Sequence, residues 1–270
     1  MRDCGGCVQS DKQQVISEME VFNPFSLSGK QILVTGASSG IGKAIALACA
    51  KMGATVIVTG RNEQRLQATL GELPNGEHQM VKADLTNEAE ISHLVDLLPK
   101  LDGLVHCAGV GHRALCKNIT SEDIHDVFSA NVEAPMILQA AILANKKLQK
   151  SASVVFIASR AAQSPSIGNA TYSASKGALI SYAKCLALEL APRQIRVNCI
   201  CPGMVWTDLI LTGGLDKKQL EEAQLKYPLK RFGKPEDVAN LAVYLLSDAA
   251  SWMTGASLDL SGGGEGLLTM

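Results

Sequence analysis

The sequence predicts an α/β fold: one doubly wound domain with a mostly parallel seven-stranded sheet and helices on both faces. First, short apolar segments alternate with segments of helical periodicity along most of the 270 residues. Second, the apolar segments show no polar alternation, which is typical of strands that are buried on both faces. Third, no stretch of the sequence is long and polar enough to act as a linker between two domains.

The individual elements follow from this pattern in chain order. Short apolar runs of strand length predict strands over 31–35, 54–59, 79–83, 103–107, 153–158, 196–200 and 257–260. The periodic segments between them predict helices through 52, from 62, over 87–98, from the loop after the fourth strand through 147, over 172–191 and over 235–246. The stretch 204–232 is mostly apolar but less regular.

Composition and charge exclude several classes of function. A formal net charge of −1 and a pI near 6.5 give no electrostatic attraction to nucleic acid or to an anionic membrane. The sequence has no signal-peptide pattern and no run of about eighteen apolar residues, so no membrane span is expected. The eight cysteines have no disulfide spacing, and the five histidines have no metal-ligand spacing. We therefore expect a cytoplasmic protein that binds no metal.

A glycine-rich segment, Thr35-Gly-Ala-Ser-Ser-Gly-Ile-Gly42, follows the first predicted strand directly and opens a helix. Gly36 permits a tight turn, Gly40 lets the backbone approach a pyrophosphate, and Gly42 lets the helix pack closely against the strand. The start of the helix offers unpaired N–H groups and a positive potential to phosphates. Because a strand precedes this segment and a second strand follows at the expected distance, it predicts a dinucleotide site in a Rossmann-type domain.

The end of the second predicted strand indicates which dinucleotide is bound. An NAD site usually places an Asp or Glu here to accept from the ribose 2′-hydroxyl, whereas this sequence has Gly60 followed by Arg61. The planar, charged fork of Arg61 suits a 2′-phosphate, and Ser38 of the glycine loop is placed to help. The sequence thus predicts NADP(H) as the preferred cofactor and NAD(H) as the weaker one. Glu63 is the reservation, because a shifted loop would bring its carboxylate toward the ribose.

Asp84 follows the third predicted strand and has two readings. At the carboxyl end of a strand its carboxylate can accept from the adenine amino group, and it can equally cap a helix or stabilise a turn. The N-terminal 24 residues are polar without a clear period, so we expect a tail over 1–24 that is flexible at least as far as residue 18. A single dinucleotide-binding and catalytic domain is expected over 25–270. The CxxC pair of the tail, Cys4 and Cys7, lacks the second pair that a metal site needs.

Tyr172 and Lys176 lie four residues apart on a predicted helix and therefore share one face. A free tyrosine is a poor acid–base catalyst at neutral pH, but a neighbouring ammonium favours the phenolate form. On its own this pair also fits an ordinary helix with a half-buried Tyr and a surface Lys.

With the other motifs, the chain resembles the single-domain branch of the short-chain dehydrogenase/reductase family, and its closing segment resembles that of 3-oxoacyl carrier-protein reductases. The resemblance runs from about Leu27 to Gly264, and Ser159 precedes Tyr172 by the family's usual 13 residues. The motifs that carry it are Thr35-Gly-x-x-x-Gly-Ile-Gly42, Asp84, Cys107-Ala-Gly109, Asn131, Ser159, Tyr172-x-x-x-Lys176, Pro202-Gly203, Thr207, and the segment from Gly233 through Thr254-Gly255 to Gly262-Gly263.

The resemblance implies a role for each matching residue. Ser159 would orient the substrate carbonyl, Tyr172 would exchange a proton with it, and Lys176 would tune Tyr172 and bind the nicotinamide ribose. Asn131 would hold a water that links Lys176 to solvent. The family usually has Asn where this chain has Cys107, so a modest structural change is expected there. The cofactor-binding set implied by motif and resemblance is Gly36, Ser38, Ser39, Gly40, Ile41, Gly42, Arg61, Asp84, Leu85, Ala108, Gly109, Tyr172, Lys176, Pro202, Gly203, Val205 and Thr207.

Three functions are open at this point. The first is NADPH-dependent reduction of a carbonyl, with a 3-oxoacyl thioester among the candidate substrates. The second is an NAD-linked alcohol dehydrogenase that acts on a sugar, cyclic or steroid-like alcohol. The third is a non-catalytic module that senses NADP(H). The apolar stretch 204–232 is expected to form a lid over the substrate. Family members commonly assemble as homotetramers, so a tetramer is expected, with a dimer second.

Overall fold

The computed structural model describes residues 22–211 and 216–264. Residues 1–21, with Cys4 and Cys7, lie outside the described residues, as do 212–215 and 265–270. The expectations about the N-terminal tail and its cysteine pair therefore stay predictions.

Seven strands form one sheet in the order β3-β2-β1-β4-β5-β6-β7. Their bounds are β1 Gln31–Thr35, β2 Thr55–Gly60, β3 Gln79–Lys82, β4 Leu101–His106, β5 Leu148–Ile157, β6 Arg196–Pro202 and β7 Ser257–Leu260. Each pairing is parallel, so the predicted doubly wound sheet is confirmed. The strand order reverses between β1 and β4, and such a switch point leaves a crevice at the carboxyl ends of the strands.

Helices cover both faces of this sheet, again as predicted. One apolar cluster joins the sheet to the third, fifth and sixth helices, and a second joins it to the first, second and ninth. The helix bounds in the described residues are α1 Gly40–Lys51, α2 Glu63–Glu72, α3 Glu88–Leu97, α4 Ser121–Phe128, α5 Ala134–Ala144, α6 Ala170–Leu190, α7 Asp208–Leu211, α8 Lys217–Gln224 and α9 Pro235–Leu246.

The helix predicted to run through residue 147 is interrupted and ends earlier. A π-helical turn, Ser129–Glu133, separates α4 from α5, and the N–H of Ala134 donates to the carbonyl of Ser129. Pro135 has no N–H, so it cannot donate the regular helical hydrogen bond to the carbonyl of Asn131. Helix α5 ends at Ala144 because Lys146 adopts a left-handed conformation with φ 54°.

The helical stretch Ser121–Ala144 is long and apolar enough to cross a membrane by length and composition alone. A core helix of an α/β domain satisfies the same two criteria. The inward side of α5 carries Ala134, Leu138 and Ile142, which are at most 2% exposed in the cluster that packs on the sheet. The apolar character of this stretch is therefore accounted for by packing within the fold.

His106, at the end of β4, is a buried polar residue in the central sheet. Its ring stacks on Phe156 with centroids 4.5 Å apart, and Nε2 lies 3.2 Å from Oε1 of Gln139. Burial, only partly opposed by the hydrogen bond with Gln139, lowers the pKa of His106 from 6.5 to about 4. As the pH falls, the ring of His106 therefore binds a proton at a higher pH in the unfolded chain than in the folded chain.

This difference predicts an acid-dependent loss of stability. As the pH falls from 6.5 toward 4, burial of neutral His106 should cost about 3 kcal/mol of unfolding free energy, and above pH 6.5 it should cost nothing. Denaturant unfolding across pH 4–7 should show this loss in the wild type and in Gln139→Leu. The double variant His106→Leu/Gln139→Leu should lack it. Identical pH profiles for wild type and double variant would contradict the assignment.

Candidate active site

A cavity of about 980 Å³ opens at the carboxyl ends of the strands. Every residue of the predicted cofactor-binding set lines this cavity, and so does Ser159. The structure thus brings together residues that lie between positions 36 and 207 of the sequence. Asn131 is the exception among the predicted site residues, because it is 1% exposed and lies behind the cavity wall.

Two glycines of the segment that links β1 to α1 have no room for a side chain. Gly36 has φ +65°, and a Cβ there would lie 2.8 Å from the backbone of Ala108. A Cβ on Gly42 would collide with the carbonyl oxygen of Gly36. The loop therefore presses against the end of β4 and the start of α1, which leaves a concave backbone surface of the shape that a dinucleotide pyrophosphate requires.

The end of β2 is open and cationic. The position where Gly60 would carry a Cβ faces the side chain of Ser38, whose Oγ is 3.7 Å away. The guanidinium of Arg61 is 4.0 Å from the carboxylate of Asp84 and remains 66% exposed in the cavity wall. Glu63, which was the reservation about cofactor choice, lies 3.7 Å from Lys82 in an ion pair and is outside the cavity wall.

Asp84 stabilises the turn that follows β3. One carboxylate oxygen accepts from the backbone N–H and the hydroxyl of Thr86, at 3.0 and 2.8 Å. Partial burial raises the pKa of Asp84, but these hydrogen bonds and the charge of Arg61 outweigh it and hold the pKa below its usual value. The structure therefore shows Asp84 stabilising a turn. Because Asp84 also lines the cavity, its contact with the adenine amino group stays a prediction.

Cys107 stands at the end of the central strand, in the cavity wall. The backbone N–H groups of Cys107 and Ala108 both donate to the hydroxyl of Thr35, at 3.0 and 3.1 Å. Burial raises the pKa of the Cys107 thiol to about 12, although the nearby charge of Lys176 acts in the opposite direction. The thiol is therefore neutral, and the Thr35 hydroxyl secures the strand end at this position.

Tyr172 and Lys176 lie on successive turns at the start of α6. The ammonium of Lys176 is 5.7 Å from the centre of the Tyr172 ring, and it donates to the carbonyl of Ile157 at 2.9 Å. Lys176 is only 5% exposed, whereas Tyr172 is half-buried in the cavity wall. A buried ammonium beside a phenol that faces a cavity is an arrangement suited to proton exchange with a bound molecule.

The Asn131 side chain connects the π-helical turn to the loop after β4. Its carbonyl accepts from the N–H of Val110 at 2.7 Å, and its amide donates to the carbonyl of Val110 at 2.9 Å and to the hydroxyl of Ser175 at 3.1 Å. A Cβ on Gly109 would lie 2.8 Å from this amide oxygen and 3.5 Å from the ammonium of Lys176. Asn131 thus positions the loop that passes over Lys176.

Ser159 begins a single 3₁₀ turn after β5, and its hydroxyl accepts from the N–H of Ala161 at 3.1 Å. The neighbouring Arg160 makes an ion pair with Asp259 of β7 and donates to Gln163 at 3.0 Å. The side chain of Arg160 therefore lies inward and is only 16% exposed. The pair ties the Ser159 turn to the last strand.

The loop after β6 closes the cavity over the glycine loop. Gly203 donates to the carbonyl of Leu260 at 3.0 Å. Thr207 lies directly above Gly40, because a Cβ on that glycine would be 3.3 Å from the Thr207 methyl group. Pro202 and Val205 complete the part of the wall formed by this loop.

The described part of the expected lid has its own small core. Leu220, Tyr227 and Phe232 are at most 6% exposed and pack together. Leu220 and Tyr227 also line the cavity, together with Leu209 and Ile210, so the lid presents a mainly apolar surface. Residues 212–215 of the lid lie outside the described residues.

Several residues of the cavity wall were missed by sequence reasoning. Arg65 of α2 lines the end that carries Arg61, and its guanidinium lies 3.4 Å from the carboxylate of Asp208 in α7. Its position one turn after Arg61 was visible in the sequence, but its contact with the lid was not. Other missed residues include Thr86, Val110, Ser164, Ser166 and Asn169.

Comparison with known proteins agrees with this geometry. The family model described as enoyl-(acyl carrier protein) reductase matches residues 36–265. A 3-oxoacyl-[acyl-carrier-protein] reductase of Rickettsia felis is 38% identical over 88% of this chain and 97% of the relative. An L-xylulose reductase of Caenorhabditis elegans is 36% identical over 88% of this chain and 97% of the relative. A 3-ketoacyl-(acyl-carrier-protein) reductase structure from Brucella melitensis, complexed with NADH, has 32% identity and a TM-score of 0.79 over 88% of this chain and 99% of that chain.

Proposed function

Because this chain belongs to the short-chain dehydrogenase/reductase family and is an NAD(P)-dependent oxidoreductase of CH–OH and C=O groups, we propose that it reduces a carbonyl to a secondary alcohol with NADPH. The observation that carries the proposal is the buried ammonium of Lys176 beside Tyr172 in the same cavity as the glycine loop. A module that only senses the cofactor has no need of this pair.

The residues present fit a dinucleotide. The close backbone packing at Gly36 and Gly42 gives the loop a concave surface, and the N–H groups at the start of α1 would hold the pyrophosphate there. Ser38 and Arg61 would bind the 2′-phosphate, and the loop Pro202–Thr207 would cover the nicotinamide. The cofactor, when bound, supplies the hydride.

The protein's own residues orient the carbonyl and supply the proton. Ser159 would donate a hydrogen bond to the substrate oxygen and fix its direction. Tyr172 would give its phenolic proton to that oxygen, and the ammonium of Lys176 would stabilise the resulting phenolate. Asn131 would act through position, because its side chain holds the Val110 loop. Its main-chain carbonyl, which receives no hydrogen bond from Pro135, would accept from a water that resupplies the proton.

Two kinds of carbonyl substrate are candidates for this reduction. We propose a 3-oxoacyl thioester, supported by the name of the Rickettsia felis relative and by the apolar lid residues Leu209, Ile210 and Leu220. A polyol ketone is the second candidate, supported by the name of the Caenorhabditis elegans relative and by the polar wall that contains Ser164 and Ser166.

Cofactor preference is tested by fluorescence titration with NADPH and NADH. Arg61→Ala should raise the Kd for NADPH by about 10- to 100-fold, because a charge-assisted hydrogen bond to the 2′-phosphate contributes roughly 1.5–3 kcal/mol. The Kd for NADH should stay within about twofold. Lys82→Ala is the matched control, since Lys82 is a nearby exposed cation outside the cavity wall. An equal rise in the Kd for NADPH and for NADH in Arg61→Ala would contradict the NADPH preference.

We also propose a homotetramer, with a dimer second, in the cytoplasm. Exposed apolar side chains on α5, α6 and the loop before β7 offer surfaces for subunit contacts, among them Ile137, Leu188 and Trp252. The six cysteines of the described residues are free thiols, as is usual in a reducing compartment. Light scattering should give a mass that is four times the 28.6 kDa of one chain. A mass of 28.6 kDa alone would refute assembly.

A further inference from the structure

The wall of the cavity beside Tyr172 carries polar side chains that the proposed roles do not use. His112 lies in the loop after β4, Asn169 directly precedes α6, and both line the cavity. The two loops are joined, because the N–H of Ala114 donates to the carbonyl of Gly168 at 2.9 Å and Ala114 pairs with Asn169 in an isolated parallel bridge. His112 comes two residues before this bridge and Tyr172 three residues after it. Such short segments span at most roughly 7–10 Å each.

The ring of His112 is held in place by Asp123 of α4. Its Nε2 lies 2.9 Å from a carboxylate oxygen of Asp123, and the two side chains are 27% and 25% exposed. The other oxygen of Asp123 accepts from the N–H of Thr120 at 2.8 Å, in the capping box that starts α4. Asp123 is therefore fixed by the helix cap, and it fixes the ring in turn.

This contact determines which atom of the ring faces a ligand. The hydrogen bonds from Thr120 hold the pKa of Asp123 below its usual value, so its carboxylate can only accept. In the neutral form of the ring, Nε2 of His112 therefore carries the proton that faces Asp123, and Nδ1 is the acceptor. Among the described residues, Nδ1 has no hydrogen-bond partner.

Asn169 adds a second unused polar group to the same wall. It occupies the N-cap position of α6, where an Asn side chain usually accepts from the first turn of the helix, yet it makes no such hydrogen bond. Asn169 lines the cavity three residues before Tyr172. Two polar side chains from two joined loops are thus presented to the space where the substrate would extend beyond its carbonyl.

We propose that His112 is a specificity-determining residue, whose Nδ1 accepts a hydrogen bond from an N–H or O–H donor that the substrate carries beyond its reacting carbonyl. The inference rests on the proposed carbonyl reduction and selects among its substrates. An amide N–H of a pantetheine arm on a thioester and a hydroxyl of a polyol ketone offer the same donor chemistry. A plain ketone or ester offers none and gains nothing from His112.

Two substitutions separate substrate binding from support of the loop. His112→Asn keeps an acceptor near the place of Nδ1 but loses the contact with Asp123. His112→Gln keeps a donor near the place of Nε2, which retains the contact with Asp123, but loses the acceptor that faces the cavity. Both variants and the wild type are assayed with NADPH on four probes: acetoacetyl-CoA, L-xylulose, ethyl acetoacetate and 2-pentanone. The first two carry N–H or O–H donors, and the last two do not.

We expect His112→Gln to raise KM about five- to tenfold for acetoacetyl-CoA, L-xylulose or both, with kcat unchanged, as fits the loss of one hydrogen bond. The probe that responds identifies the source of the donor. His112→Asn should stay within about twofold of wild type on that probe, and both variants should match wild type on the probes without donors. A wild-type KM for His112→Gln on every probe, with the Tm lowered only in His112→Asn, would overturn the proposal. It would show that His112 only stabilises its loop through Asp123. If the wild type reduced none of the carbonyls, the proposed function itself would fall, and the inference with it.

Discussion

Replacing Tyr172 with phenylalanine is expected to lower kcat about a thousandfold, because the change removes the only atom of this side chain that can exchange a proton. The ring itself should keep its place at the start of α6, 5.7 Å from the ammonium of Lys176. Steady-state kinetics on the reduced carbonyl measures the loss. The Kd for NADPH and the Tm should stay close to wild type, since the hydroxyl of a half-buried residue contributes little to either.

A second tyrosine on the same helix provides the control. Tyr182 is half-buried, lies edge-on to Phe156 at 5.9 Å, and does not line the cavity. Tyr182→Phe removes the same hydroxyl from α6 and should leave kcat within about twofold of wild type. If Tyr172→Phe kept wild-type turnover, the proton would come from another group, and the proposed role of Tyr172 would be wrong.

The parts of the site that the sequence predicted depend on local spacing. The glycine spacing between a strand and a helix predicts that the backbone packs closely at Gly36 and Gly42. The structure has this close packing at both glycines. The four-residue spacing of Tyr172 and Lys176 likewise fixes one helical face. In the fold, the last helix and last strand were predicted at their observed bounds, which Pro235 and the short segment Ser257–Leu260 mark.

The parts that the sequence could not predict depend on contacts between distant segments. Arg160 turns inward because Asp259 of β7 lies beside the Ser159 turn, and nothing near Arg160 in the sequence indicates this partner. The ring of His112 is oriented by the cap of α4, and Arg65 meets Asp208 across the mouth of the cavity. Each pair joins two loops or helix ends whose relative position exists only after the sheet has formed.

Irregular backbone was the other limit of the sequence interpretation. The stretch from Ser121 to Ala144 reads as one apolar helix, and only Pro135 marks the π-helical turn inside it. The first residues of β5 were missed because positions 149–151 are polar and exposed, so they lack the apolar signal of a central strand. The Asn131 side chain had been associated with bound water, whereas the structure shows that it first of all bonds to Val110 at both ends.

The substitution Lys176→Met should separate activity from stability. Burying an ammonium that is 5% exposed costs hydration free energy, and this ammonium donates a hydrogen bond to the carbonyl of Ile157. Met removes the charge but keeps the apolar stem, at the expense of one unpaired carbonyl, which costs about 1–3 kcal/mol. These two effects oppose each other, so we expect the Tm to change by only a few degrees. The value of kcat/KM should fall about a thousandfold, because neither the phenolate nor the cofactor ribose retains its cation.

Lys184→Met is the matched control, since Lys184 lies two turns further along α6 and is exposed. It should change neither kcat/KM nor the Tm appreciably. Thermal unfolding and kinetics on the same preparations decide the outcome. A large fall in Tm for Lys176→Met, with activity lost only in proportion to unfolded protein, would make Lys176 a structural residue. An unchanged Tm with activity lost would mean that the buried charge is present for the reaction rather than for the fold, because the packing of α6 on β5 and β6 is stable without it.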